Sequence, residues 1–138
     1  MPAGYSSNPL TKKLGIKENF KCLILHEPDH YVELLEEIPH TAEFTDDPSE
    51  GEFDFIHLFV TRISDLKANW PICKSSLKKT GFFWISWPKQ TSEIQADLNA
   101  NDVRKFGLDG GLVDTKVCAV DHDWSGLKFM YRKEDRNT

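Results

Sequence analysis

Short apolar runs alternate along this chain with segments whose apolar residues are spaced three or four apart. The runs are the candidate strands 20–25, 53–60 and 82–87, and the second is densest in aromatic and β-branched residues. The segments between them are candidate amphipathic helices, because apolar residues at that spacing share one helix face. Strand–helix alternation predicts a parallel sheet, since parallel neighbours need a crossover connection and helices supply it.

The last two candidate strands follow a different rule. Residues 112–120 and 127–132 are separated only by the turn 121–126, which is too short for a crossover. These two strands are therefore predicted to pair antiparallel. A mostly parallel sheet that ends in an antiparallel hairpin, with helices on both faces, is a three-layer Rossmann-like α/β fold of the kind found in methyltransferases.

Turn-forming residues set the ends of the predicted elements. Asn99 or Asn101 can cap a helix over 100–108, which Gly110 then ends. Pro71 lies inside the helix that begins near residue 63, so a kink or two shorter helices are expected there. The remaining predicted elements are helices 10–14 and 31–38, a weak strand 42–45 and an acidic turn 46–51.

Length and composition predict one domain over residues 1–138, in which residues 1–17 form an N-terminal arm with a short helix. The net charge of −5 argues against a broad phosphate-binding surface, so no nucleic-acid partner is expected. Cys22, Cys73 and Cys118 are odd in number and far apart, which is typical of reduced thiols in a cytoplasmic protein. No run approaches the roughly 20 apolar residues of a membrane span, so no membrane association is expected.

Groups of residues spread over nearly the whole chain look like segments of one known group of proteins. They are Tyr5-Ser6 with Pro9-Leu10, Lys12-Lys13-Leu14-Gly15-Ile16-Lys17, Phe53-Asp54 with His57-Leu58-Phe59-Val60, Ser86-Trp87-Pro88-Lys89, Gly111-Leu112-Val113-Asp114 with Lys116-Val117-Cys118-Ala119-Val120-Asp121, and Trp124-Ser125-Gly126-Leu127-Lys128. On these residues the chain resembles an uncharacterised family of small bacterial proteins, a domain of unknown function. The resemblance implies a methyltransferase-like α/β fold, no established activity and no assigned catalytic residue. Members of the family that the chain resembles usually carry small or amide residues where this chain has His26-Glu27.

The turn after the first strand reads His26-Glu27-Pro28-Asp29-His30 and matches the zinc-protease motif H-E-x-x-H. That motif depends on a continuous helix, which places both histidines on one face, one turn apart. Here the motif begins where a strand ends, and Pro28 lies where the helix would have to be continuous. We therefore expect no metal site in this turn.

The same turn contains no glycine. Dinucleotides and S-adenosylmethionine are usually held by G-x-G-x-x-G, whose glycines let the backbone approach the ligand. Glu27 and Asp29 would also repel a pyrophosphate. Asp46 does lie where a ribose-binding acid belongs, about 20 residues beyond the first strand. The sequence thus predicts no cofactor in the usual pose, with an atypical S-adenosylmethionine-dependent methyltransferase as the weaker alternative.

The carboxyl ends of the strands offer another candidate site, because open α/β sheets bind ligands there. The ligand-binding residues predicted at this edge are Arg62, Trp87, Lys89, Asp121 and Trp124. Arg62 and Lys89 would pair with a small anionic molecule, Asp121 would be a further polar anchor, and the two tryptophans would form the walls. The alternative is that the two cations are solvated and the tryptophans pack over the edge of the sheet.

The sequence identifies no catalytic residue and leaves open whether the protein is an enzyme. Ser86 and Ser125 lie outside G-x-S-x-G, and Cys22 and Cys118 in strands suit buried, inert thiols. His57 in mid-strand suits a hydrogen-bonded core histidine. The leading hypothesis is a degenerate Rossmann-like binding or interaction domain whose edge strand could support a homodimer. The main alternative is a small-ligand binder or an enzyme acting at the carboxyl edge of the sheet.

Overall fold

A computed structural model describes residues 9–136 of the chain, so the turn-rich start and the Tyr5-Ser6 pair lie outside the described residues. The strands in this range are β1 (Lys21–Leu25), β2 (Glu43–Thr45), β3 (Phe53–Phe59), β4 (Leu77–Pro88), β5 (Leu112–Ala119) and β6 (Trp124–Tyr131). The helices are α1 (Leu10–Leu14), α2 (Tyr31–Leu35), α3 (Ile63–Ser76) and α4 (Ala100–Asp109). Pro48–Glu50 and Lys133–Asp135 form single 3-10 turns.

The strands form one mixed sheet in the order β2-β1-β3-β4-β6-β5. The pairs β1–β2, β1–β3 and β3–β4 are parallel, whereas β4–β6 and β5–β6 are antiparallel. The predicted parallel sheet with a C-terminal antiparallel hairpin is thus confirmed. The chain leaves β1 for β2 on one side and then returns to β3 on the other, so the switch in strand order lies between β1 and β3.

Helices cover both faces of the sheet and make three layers. Leu14 of α1 and Leu35 of α2 are fully buried against one face. Leu66 of α3 and Val103 of α4 are fully buried against the other. Each such side chain contributes about 1.5–3 kcal/mol by leaving water, so these contacts hold the layers together. No helix within residues 9–136 is long and apolar enough to cross a membrane.

Three element boundaries differ from the predicted ones by three or more residues. β4 begins at Leu77 rather than Phe82, because Leu77 takes an extended conformation directly after α3 and pairs with Phe53. β6 begins at Trp124 rather than Leu127, which leaves a turn of only a few residues after β5. α2 ends at Leu35, and Glu36 follows with a positive φ of 65° that no helix can continue.

The helix ends are explained by local chemistry. Asn99 caps α4, and Asp102 completes a capping box by accepting a hydrogen bond from the Asn99 backbone N–H. Pro71 lies inside α3, which nevertheless forms one helix rather than two. Pro71 and Lys67, whose carbonyl loses its helical donor, are both exposed, so water can reach that carbonyl.

Candidate functional site

The turn after β1 has an unusual backbone. His26 has a φ of 60°, in the left-handed region, and is exposed. Histidine tolerates this region better than most residues, at a cost of roughly 1–2 kcal/mol. The turn therefore adopts a conformation for which glycine is the usual residue, although it contains no glycine.

A groove of about 460 Å³ opens between α2 and β2, next to this turn. We call it the crossover groove. Val32 and Phe44 form part of its apolar wall, and their side chains are 66% and 38% exposed. Two carboxylates also line it, Glu27 after β1 and Asp46 after β2. No lysine or arginine is among the described residues that line it, so its charge is negative.

The sequence indicates a role for Asp46 but not for the apolar residues around it. It predicts Phe44 only as part of a weak strand, and Val32 only as part of a helix face. The available signal was a large apolar side chain two residues before Asp46 on an edge strand. The structure shows that Phe44 remains partly exposed beside that carboxylate.

A buried chain of hydrogen-bonded side chains begins at Tyr31, one of the residues that line the crossover groove. The Tyr31 hydroxyl and Nδ1 of His57 are hydrogen-bonded at 2.8 Å, and Nε2 of His57 and the Ser86 hydroxyl at 2.7 Å. Burial lowers the pKa of His57 to about 3, so the ring is neutral at physiological pH. The prediction of a hydrogen-bonded core histidine is confirmed. Ser86 is fully buried and has no access to a substrate.

The structure does not bring the two rim tryptophans together. Trp87 pairs with Ser125, and Pro88 pairs with Trp124, so the two indole rings leave the sheet on opposite faces. Trp87 is buried with α3 and α4, whereas Trp124 is buried with α1 and α2. The two tryptophans were predicted to form the walls of one binding pocket, and this prediction is wrong because they lie on opposite faces of the sheet.

Asp121 holds the turn between β5 and β6. Its Oδ1 accepts backbone hydrogen bonds from Asp123 and Trp124, both at 2.8 Å, and its Oδ2 lies 2.9 Å from Nε2 of His30. Partial burial raises the pKa of Asp121, but the hydrogen bonds outweigh burial and leave that pKa below its ordinary value. β3 and β4 lie between β1 and β6, so the His30–Asp121 contact spans their carboxyl ends.

Arg62 and Lys89 follow the carboxyl ends of β3 and β4. Arg62 is exposed and Lys89 is half-buried. Neither side chain has a hydrogen-bond or ion-pair partner within residues 9–136. Of the five residues predicted at this edge, these two remain available to a ligand, while Asp121 is engaged within the protein.

The H-E-x-x-H segment has no metal-binding geometry in the structure. His26 and His30 are exposed, and Pro28 separates them before α2 begins. The described part of the chain contains no group of three or more His, Cys, Asp or Glu side chains placed to hold a metal ion.

Comparisons with known proteins show the fold. No protein-family model matches this sequence, and no curated protein matches it either. The resemblance to a bacterial domain family therefore has no support beyond the fold.

Solved structures do match. A SAM-dependent methyltransferase from Aquifex aeolicus superposes with a TM-score of 0.59 at 12% identity, covering 89% of this chain and 88% of that one. A putative type 11 methyltransferase from Sulfolobus solfataricus gives 0.57 at 14% identity, covering 90% of each. Magnesium protoporphyrin IX methyltransferase from Synechocystis, with bound SAH, gives 0.57 at 10% identity, covering 89% and 78%. The chain thus has a methyltransferase-like Rossmann fold.

Proposed function

We propose that this protein is an S-adenosylmethionine-dependent methyltransferase that holds its cofactor in the crossover groove. The observation that carries the proposal is the position of Asp46. It follows β2, lines the groove and lies where α/β nucleotide-binding domains place the acid that binds ribose hydroxyls. Ligands of open α/β sheets bind at the switch in strand order, and the groove is lined by Ile24 of β1, one of the two strands that flank that switch.

The residues of the groove fit this cofactor. Val32 and Phe44 offer an exposed apolar wall for an adenine ring. Asp46 offers acceptor oxygens for ribose hydroxyls, and Glu27 offers a carboxylate for a cationic methionine portion. A groove with two carboxylates and no lysine or arginine among its described lining residues suits a cationic nucleoside better than a phosphorylated one.

The turn after β1 also fits better than its sequence suggested. Glycine is usual there because it allows a positive φ and a close backbone approach. His26 supplies the positive φ, and its side chain is exposed and not among the groove-lining residues. The absence of glycine therefore does not close the groove.

When bound, S-adenosylmethionine supplies an electrophilic methyl group. Asp46 and Glu27 would hold the cofactor by its polar groups, and it would supply that methyl group to a nucleophilic acceptor. The protein's part is to bind and orient the two reactants, which lowers the entropic part of the barrier. Tyr31 and His57 are hydrogen-bonded to each other in the interior, so they stabilise the wall of the groove and do not act as catalytic bases.

The comparisons favour this function over the non-enzymatic binding or interaction domain that the missing glycines suggested. Structures similar in fold carry SAM, SAH or sinefungin, including two forms of the Synechocystis enzyme and a glycopeptide N-methyltransferase. At these identities the likeness concerns the fold, and the function of this chain is supported by the residues of its own groove.

Isothermal titration calorimetry with S-adenosylmethionine and S-adenosylhomocysteine tests the proposal. We expect saturable binding of both to the wild-type protein, and Asp46→Asn should weaken it at least about tenfold because the ribose loses charge-assisted hydrogen bonds. Asp109→Asn is the matched control, since Asp109 is an exposed acid at the end of α4, far from the groove. No binding at millimolar ligand, or equal weakening by both substitutions, would refute the proposal.

A further inference from the structure

A second recess lies at the same edge of the sheet, on the side of α3 and α4. Here the loop 89–99 passes the ends of β3 and β4. Two adjoining grooves of about 310 and 440 Å³ share Gln95, Ala96 and Asp97 as lining residues. We call this pair of grooves the rim recess.

The carboxylate of the rim recess is already engaged within the protein. Asp97 lines both grooves, and its Oδ1 accepts a 2.7 Å hydrogen bond from the backbone N–H of Ile63 at the start of α3. Its backbone N–H in turn donates to the carbonyl of Thr61 at 3.0 Å. Glu93 lies in the same loop but is exposed and is not a lining residue. The Asp97 carboxylate therefore already accepts a hydrogen bond from the first residue of α3.

The donors of the rim recess are not engaged. Arg62 lines one groove and Lys89 the other, and the amides of Gln90 and Gln95 also line it. None of these four side chains has a hydrogen-bond or ion-pair partner in the described part of the chain. The recess therefore combines two cationic side chains and two neutral donors with one carboxylate, that of Asp97, which already accepts a hydrogen bond within the protein.

The register of β3 and β4 places Arg62 and Lys89 at equivalent positions beyond the ends of two neighbouring strands. Phe59 of β3 pairs with Ser86 of β4, and Arg62 and Lys89 each follow three residues later. Two other cations of the described residues are paired with carboxylates, since Lys78 contacts Asp54 at 3.0 Å and Arg104 contacts Asp114 at 3.1 Å. An unpaired guanidinium and an unpaired ammonium on neighbouring strand ends distinguish this recess.

We propose that the rim recess binds a small molecule carrying a carboxylate or a phosphate. The Arg62 guanidinium matches the planar, two-oxygen geometry of either group, and the Lys89 ammonium adds a point charge. Gln95 supplies a neutral donor from the loop. The further assignment of this molecule as the methyl acceptor rests on the proposed function, whereas the anion site itself does not.

An NMR titration of the whole chain with acetate, acetamide and inorganic phosphate tests the anion site. Acetamide is the neutral match of acetate, and the acetate and phosphate arms separate the two oxyanion classes. We expect saturable shifts at Arg62, Lys89 and Gln95 with at least one oxyanion and none with acetamide. Equal shifts with acetamide, or oxyanion shifts of the same size at exposed Lys67, would overturn the proposal.

Variants sharpen the test. The double substitution Arg62→Ala and Lys89→Ala should weaken oxyanion binding at least about tenfold, because two charge-assisted contacts are lost. The control pair Lys67→Ala and Lys133→Ala removes the same net charge from exposed positions outside the recess and should leave binding unchanged. Equal weakening by both pairs would reduce the effect to net charge and overturn the site. The spectra themselves report whether each variant is folded.

The outcomes of this experiment and of the calorimetry are separable. Oxyanion binding without any binding of S-adenosylmethionine refutes the proposed function and leaves the anion site standing. Binding of S-adenosylmethionine without oxyanion binding refutes the anion site and leaves the proposed function standing.

Discussion

The hydroxyl of Tyr31 and Nδ1 of His57 form a 2.8 Å hydrogen bond in the interior, where Tyr31 is 3% exposed and His57 is fully buried. His57 also stacks on Phe59, with ring centroids 4.2 Å apart. The bond joins the first turn of α2 to the centre of β3. Tyr31 also lines the crossover groove, so the interior network fixes part of the groove wall.

Tyr31→Phe should destabilise the protein by about 1–3 kcal/mol, because it leaves Nδ1 of the buried His57 without a partner. Urea unfolding followed by circular dichroism measures the change. Tyr131→Phe is the comparison: its hydroxyl donates to the carbonyl of Lys74 at 3.1 Å, in a less buried setting, so the cost should be smaller. Equal losses of unfolding free energy for the two substitutions would show that the hydrogen bond to His57 stabilises the protein no more than the less buried one does.

Stability should fall as the pH is lowered below about 6.5, in part because of His57. Burial lowers the pKa of His57 from 6.5 to about 3. Between these values the unfolded chain binds a proton on this ring and the folded chain does not, so acid favours unfolding. The contribution of His57 to the free energy of unfolding is fully present above the pKa of the unfolded state. Below that pKa it is lost at up to about 1.4 kcal/mol per pH unit.

The contribution of His57 is measured by urea unfolding at several values between about pH 5 and 7. His57→Gln should show a shallower dependence on pH than the wild type, whatever its absolute stability. The ring chemical shifts of His57 provide a second measurement that needs no variant. A ring that becomes protonated in the folded protein near pH 6 contradicts the prediction.

The thiols should differ in reactivity in the folded protein. Burial raises the pKa of Cys22 and of Cys73 to about 12, and both side chains are fully buried. Cys118 is half-buried, and burial raises its pKa as well. The thiolate is the reactive form, so a thiol reagent at neutral pH should modify Cys118 slowly and the other two only after unfolding. Rapid modification of folded Cys118→Ala would contradict this.

Gly107→Ala should destabilise the protein, although alanine is the better helix former by about 1 kcal/mol. A Cβ at this position would lie 2.0 Å from Cε1 of Phe129, whose side chain is fully buried. Overpacking of this kind costs about 1–3 kcal/mol or more. Lys105→Ala, on the exposed side of α4, should change the unfolding free energy by less than about 0.5 kcal/mol. A stabilised Gly107→Ala variant would contradict the packing described.

The element order could be predicted from sequence because it depends on local periodicity. The start of β4 could not. Leu77 continues the spacing of Leu66 and Cys73 and therefore resembles the next position on a helix face. Its extended conformation is set by pairing with Phe53, a contact between residues far apart in the chain, which local spacing does not encode.

The candidate site could likewise be predicted from the sequence only where it depends on position along the chain. Asp46 follows from its distance along the chain, and the positions of Arg62 and Lys89 follow from the ends of strands. The opposed positions of Trp87 and Trp124 depend on the register of β4 with β6, in which Pro88 faces Trp124. A shift of one residue in that register would move every side chain of β6 to the other face, so register has to be known before a pocket can be assigned.

β2 consists of three residues and, among the strands of residues 9–136, pairs only with β1. It carries Phe44 and directly precedes Asp46, so it forms one wall of the crossover groove. An element with so few contacts opens locally at a lower free energy than the sheet interior. Any ligand that needs this wall in place binds with an apparent affinity reduced by the fraction of molecules in which β2 is detached. Hydrogen exchange at Phe44 thus reports on the affinity of the groove, and substitutions that anchor β2 without touching the ligand should tighten binding.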